Sequence, residues 1–249
     1  MIQTSAIHCL HETGGRKQNE DALWPAKNSA LPADRLFVVC DGVGGSSAGE
    51  IASALTCESF ADYFQNNLPA GEKIGKEFIN LAYGYTLAKF KEHIESDPSL
   101  GDMSTTLTLV YLNQASVTVA WCGDSRVYQL RNGEVVFQST DHSLVNQLVK
   151  AGEITEAEAQ QHPQRNLILR AIQYKEKPSA IECIELTDVK SGDYFLLCTD
   201  GLLENINRDV LHKLLKAGEP KNYADAIQAI CSGKTKDNYS MYLFNLTKE

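Results

Sequence analysis

The chain has 249 residues, 43% of them apolar and 22% charged, which suits one globular domain with a sizeable core. A net charge of −9 disfavours a nucleic-acid or anionic-membrane surface, since both reward a basic face. No stretch approaches the ~20 apolar residues that span a bilayer, and the start, MIQTSAIHCL, lacks the basic and apolar blocks of a secretory signal.

Seven cysteines stand at Cys9, Cys40, Cys57, Cys122, Cys183, Cys198 and Cys231. The number is odd and no pair has C-x-x-C spacing, so reduced thiols in a cytoplasmic protein are expected. In chain order, LFVVC (36–40) predicts a fully buried strand. A helix is expected from Ser47, where S-A-G-E places Glu50 for a capping box, with Ile51, Leu55, Phe60 and Phe64 facing inward. A second helix is expected over about 72–95, with Ile74, Phe78, Leu81 and Tyr85 at helical spacing. The runs TTLTLVYL, ASVTVAW, RVYQL and EVVFQ then read as strands joined by short turns, and Asn132-Gly133 is a hairpin signal. A polar, helix-prone stretch (143–172) interrupts them. Strands resume at AIECIEL and YFLLC, helices follow at about 208–217 and 222–231, and YSMYLFNL reads as a closing strand. Strands at both ends with paired helices between them favour antiparallel sheets carrying outer helices, an α+β fold.

Three segments share one design. Asp41-Gly42 ends the run VVC, Asp200-Gly201 ends LLCT, and Asp237-Asn238 precedes the final strand. Asn19-Glu20-Asp21 stands before the short run ALW. Carboxylates at the ends of buried strands are costly unless their charge is compensated. A divalent cation compensates several at once, and all-oxygen ligands suit Mg²⁺ or Mn²⁺ rather than zinc. A plain Asp-Gly turn is the competing reading of each one taken alone.

The motifs R-K-Q-N-E-D (16–21), D-G-V-G-G-x-x-A-G-E (41–50), D-M-S-T-T (102–106), G-D-S-R (123–126), D-H-S (141–143), L-R-A-I (169–172), T-D-G-L (199–202) and D-N (237–238) occur in that order. Together they resemble the metal-dependent Ser/Thr protein phosphatase family (the PPM, or phosphatase-2C, type) in its compact bacterial form. The resemblance covers almost the whole chain. It implies one catalytic domain over 1–249, a four-layer αββα sandwich of two antiparallel sheets flanked by helix pairs, with a small flap at about 143–168.

The resemblance also implies roles. Asp41 would bridge two ions, with the Gly42 carbonyl on one of them, and Asp200 and Asp237 would hold the other. Glu20 and Asp21 match the family's acidic pair. Asp102 matches an aspartate that holds a weaker third ion. Arg16 matches the arginine that binds the substrate phosphate. The implied cofactors are two Mg²⁺ or Mn²⁺ ions with a weaker third, and the implied reaction is direct hydrolysis of phosphoserine and phosphothreonine by metal-activated water. Phosphorylated proteins and a Ser/Thr kinase are the implied partners; a monomer is expected, with no nucleic acid and no membrane.

The chain departs from the pattern in places. Val43 stands where eukaryotic relatives carry a histidine, Ser46 where bacterial relatives often do, and Ser104 replaces the glycine of G-T-T. The leaving-group acid is therefore unassigned among side chains. These departures keep open a catalytically silent phosphoprotein-binding regulatory domain of the same fold. No cysteine lies in a C-x₅-R loop, which argues against a thiol phosphatase. Asp124, Arg126 and His142 read as hairpin and loop anchors, and Arg170 as a salt-bridging residue of a helix.

Overall fold

A computed structural model describes residues 2–43, 48–69, 73–216 and 222–248, with Gln160 as backbone only. Among the described residues, ten strands form two antiparallel five-stranded sheets. One has β2 (Asp21–Trp24), β3 (Leu36–Asp41), β4 (Leu107–Leu112), β5 (Val117–Cys122) and β8 (Glu182–Leu186), adjacent in that order. The other runs β1 (Ile2–Glu12), β10 (Tyr239–Lys248), β9 (Tyr194–Cys198), β6 (Arg126–Arg131), β7 (Glu134–Gln138).

The sheets pack face to face. Phe37, Val39, Val119, Phe195, Tyr242 and Phe244 fill the space between them, and the Phe37 and Phe244 rings stack 4.3 Å apart. β3, β4 and β5 are buried on both faces, which is why they read as unbroken apolar runs. The outer face of the first sheet is covered by α1 (Gly49–Asn67) and α2 (Lys76–Ser96). The outer face of the second is covered by α5 (Asp200–Leu203), α6 (Arg208–Lys216) and α7 (Tyr223–Cys231). Four layers result, αββα. Among the described residues no helix is long and apolar enough to cross a membrane, and no two cysteines are bonded.

Local chemistry sets the boundaries. β6 turns into β7 at Asn132 (φ 53°) and Gly133 (φ 82°), the two left-handed positions of a tight hairpin turn. α1 begins at Gly49 with Ala48 at its cap; the expected cap Ser47, like Ser46, lies outside the described residues. Leu55, Phe60 and Phe64 face inward as expected, and Ile51 packs at the edge. The α2 expectation needs correction. Its inner face is Ile79, Ala82, Tyr83, Thr86 and Phe90, while Leu81 is 56% exposed and Ile74 lies before the helix. Two aromatic-rich faces compete in that sequence, and the one carrying the small Ala82 lets the backbone approach the sheet.

The stretch after β7 holds two short helices, α3 (Leu144–Ala151) and α4 (Glu156–Gln161). Ser143 caps α3, and Thr155 with Glu158 forms a capping box on α4. Residues 167–172 then run extended rather than helical. Leu169 N–H donates to the His142 carbonyl at 2.7 Å, and Thr105 and Ile172 exchange backbone bonds at 3.1 and 2.7 Å. Arg170 therefore lies outside any helix and pairs with Glu182 at 3.0 Å.

Candidate active site

Antiparallel pairing places Asp21, first in β2, directly opposite Asp41, last in β3. Asp200 follows β9 and Asp237 precedes β10, the neighbouring strand of the other sheet. Both sheets thus deliver acids to the same end of the sandwich. Thr199 joins the sheets there: its hydroxyl donates to Asp21 Oδ2 at 3.0 Å and accepts from Ser240 N–H at 3.0 Å.

The backbone of Asp41 is clamped by the S-T-T motif. Its carbonyl accepts from Thr106 N–H at 2.8 Å and Thr105 Oγ1 at 2.7 Å, and its N–H donates to Thr106 Oγ1 at 2.9 Å. Thr106 Oγ1 also lies 2.7 Å from Ser125 Oγ, which couples this clamp to G-D-S-R. Gly42 answers a need for close approach. A Cβ there would sit 2.4 Å from the Gly49 backbone and 2.7 Å from the Glu20 carbonyl. Ser104 keeps the clamp in place of glycine, its carbonyl accepting from Val43 N–H at 3.0 Å.

Asn238 organises the rest. It accepts from Glu20 N–H at 2.9 Å and donates to the carbonyls of Thr13 at 2.8 Å and Gln18 at 2.9 Å. Asn238→Ala is expected to cost about 3 kcal/mol, three hydrogen bonds at roughly 1 kcal/mol each. Urea unfolding would show it, and an unchanged midpoint would mean that these loops hold without it. Arg16 donates from Nη2 to Asp237 Oδ2 at 2.7 Å, and that bond is the main reason its guanidinium holds its proton more tightly than usual.

The electrostatics are those of an uncompensated acidic cluster. Burial, then the charges of Asp21, Asp200, Asp124 and Asp237, pushes Asp41 well above the usual carboxylate range. Burial followed by Asp237 raises Asp200, and burial followed by Glu50 raises Glu20. Asp21, 6% exposed, is raised to about 7, mainly by burial. Its Oδ1 has no hydrogen-bond partner among the described residues, while the Ser240 and Thr199 hydroxyls favour the anion and only partly offset burial.

The structure thus brings Arg16, Glu20, Asp21, Asp41, Asp200 and Asp237 to one end of the sandwich. Asp102 stands apart: it is exposed, in the turn before Met103, and is not among the charges that weigh most on Asp41 or Asp200. Asp124 joins the cluster, its charge acting on Asp41. It is 9% exposed, and burial followed by the charge of Asp200 raises it to about 7. Its sequence signal was the glycine before it. Gly123, at φ +106°, would drive a Cβ to within 2.6 Å of Thr106, so Asp124 is tied to the Asp41 clamp. Arg126 is spent on Asp141 through two bonds, at 2.8 and 2.6 Å. His142 accepts at Nδ1 from Gly123 N–H and stacks on Trp121, a loop anchor.

The donor set fits hard divalent cations. The groups are carboxylates, and the orphaned buried Asp21 Oδ1 lacks a counter-charge. Among the described residues, no three acidic, His or Cys side chains already close on one point. Like charges resist closing by themselves, so the fit lies in charge and donor chemistry.

The protein phosphatase 2C family profile matches residues 11–231. The serine/threonine protein phosphatase PstP of Mycobacterium tuberculosis is 31% identical over 227 residues, 91% of this chain and 42% of that protein, so the chain spans less than half of that relative. The serine/threonine phosphatase stp of Listeria innocua is 31% identical over 214 residues, 84% of this chain and 79% of that protein. Among solved structures, the catalytic domain of PstP in complex with two manganese ions superposes with a TM-score of 0.80 at 27% identity, each chain fully covered.

Proposed function

Because this chain belongs to the protein phosphatase 2C family, we propose that it hydrolyses phosphoserine and phosphothreonine in proteins with the help of divalent cations. The carrying observation is the convergence of Asp21, Asp41, Asp200 and Asp237 from two sheets on one charge-starved site. Asp41, Asp200, Asp237 and the Gly42 carbonyl are the first candidates to hold Mn²⁺ or Mg²⁺, with Glu20 and Asp21 beside them. Asp124, rather than Asp102, is the candidate for a further, weaker ion. When bound, such ions lower the pKa of an attacking water and offset phosphoryl charge. The residues of this chain do the rest. The Thr105 and Thr106 clamp fixes where Asp41 points. Thr199 holds one oxygen of Asp21, and the other is buried without a partner among the described residues. Arg16, 55% exposed at the rim, presents a guanidinium fork suited to two phosphate oxygens.

A Ser/Thr kinase acting on the same proteins would supply the substrate, and seven unbonded thiols favour a cytoplasmic setting. The flap, α3 and α4 with the extended return to Ile172, lies one backbone pairing from Thr105 and so beside the site. The test is hydrolysis of p-nitrophenyl phosphate and a phosphothreonine peptide with Mn²⁺, Mg²⁺ or EDTA. Turnover that requires metal supports the reading; a folded, metal-binding protein without turnover favours the silent phosphoprotein-binding domain. Arg16→Ala is expected to raise KM roughly tenfold while lowering kcat less, because it removes a binding contact. An unchanged KM would take Arg16 out of the phosphate site.

A further inference from the structure

We propose that this site, read as a phosphatase site, prefers phosphoresidues flanked by acidic side chains, and that Lys17, Lys234 and Lys236 select that flank. The preference rests on the phosphatase reading and adds a substrate class to it.

Two loops line the Asp237 side of the site, 13–18 and 233–238. They are fixed backbone against backbone. Gly14, at φ +59°, would place a Cβ 1.9 Å from the Asp237 carbonyl oxygen, and Gly15 would place one 2.9 Å from that of Lys236. Asn238 ties the same loops together through Thr13 and Gln18. The edge formed by these two packed loops carries Arg16, Lys17, Lys234 and Lys236 in its sequence, with Arg16 directly on Asp237 at 2.7 Å. All three lysines are exposed. Among the described residues none of the three forms an ion pair, whereas Lys27, Lys73 and Lys89 are each paired with a glutamate. Of the acids beside this edge, Asp237 is bonded to Arg16, and the Glu204 carboxylate accepts the backbone N–H of Lys236 at 2.9 Å.

A local cationic edge on a chain of net charge −9 has a direct consequence. The whole molecule repels anionic substrates, and this edge reverses the field beside the site. A phosphopeptide crossing it with its phosphate near Arg16 lays its flanking residues within reach of three ammonium groups. Acidic flanks are attracted and basic flanks repelled, chiefly as a matter of specificity and encounter. Each contact is solvent-exposed and contributes only a few-fold, so three together give about tenfold discrimination.

The test uses the full chain with Mn²⁺ and three phosphothreonine peptides of one length whose flanks carry Glu, Gln or Lys. The readout is kcat/KM at low salt and at about 0.5 M salt, where exposed pairs are screened. p-Nitrophenyl phosphate, which has no flank, runs in parallel. The expected Glu-over-Gln ratio is about tenfold in the native chain. It falls toward one at high salt and in the variant Lys17→Gln, Lys234→Gln, Lys236→Gln. If that variant does not fold, Lys17→Glu alone is expected to lower the ratio a few-fold. Metal-dependent turnover of p-nitrophenyl phosphate with no Glu preference, or a preference that survives the lysine changes, overturns the flank inference and leaves the phosphatase standing. Absence of turnover on every substrate overturns both.

Discussion

Asp41→Asn is expected to lower kcat/KM for p-nitrophenyl phosphate by on the order of 10³-fold, a loss of about 4 kcal/mol. The substitution keeps the side-chain volume and leaves untouched the three backbone bonds from Thr105 and Thr106. What it removes is the charge that stands among Asp21, Asp200, Asp124 and Asp237. The same change should stabilise the metal-free protein, because one of several mutually repelling carboxylates is gone. Calorimetric titration with Mn²⁺ should show weaker binding. Turnover within a few-fold of the native chain would remove Asp41 from the centre of the site.

Under EDTA, the protein is expected to lose thermal stability as pH rises. Asp21 and Asp124 have an ordinary value of 3.8 and are raised to about 7 in the fold. The folded state therefore keeps protons that the unfolded chain has released. Their contribution is complete below pH 3.8 and is lost as pH climbs to about 7. A fall in Tm of about 5–10 °C between pH 5 and 7.5 is the expected size. His142 works in the opposite sense. Burial, helped by the charge of Arg170, lowers it from 6.5 to about 4, so it destabilises the fold as pH falls through that range. Asp21→Asn shares His142 with the native chain, so the difference between the two curves isolates the carboxylate. Saturating Mn²⁺ should raise Tm more at pH 7.5 than at pH 5, because protons and cations compete for the same oxygens. Parallel curves for the two proteins would show that Asp21 is not held protonated in the fold.

Much of this architecture was legible because it is written in short-range signals. LFVVC and YFLLC are buried on both faces and could be little else. Asn132-Gly133 demanded a hairpin and made one. The strand-end aspartates were readable one by one, since each breaks an apolar run with a charge. Their convergence was not, because it depends on which strands become neighbours. β1 escaped notice because its inward residues alternate with exposed serine, glutamine and alanine, and its partner β10 lies over two hundred residues away. The α2 face was misread because Leu81 and Tyr85 fit helical spacing as well as Ile79 and Tyr83 do. Asp124 read as a hairpin anchor; its burial beside the Asp41 clamp depends on the left-handed backbone of Gly123 and its close approach to Thr106, which are three-dimensional facts.

The position of β10 has a consequence for synthesis. It follows every other element, yet it inserts between β1 and β9 and carries Asp237 and Asn238 at its entrance. A ribosome that has released only the first 230 or so residues leaves β1 without a partner and one edge of β9 open, with Asp237 and Asn238 missing from the acidic site. The N-terminal strand must wait, exposed to other chains, until its partner emerges. Activity cannot appear gradually along the nascent chain; it switches on with the arrival of one strand.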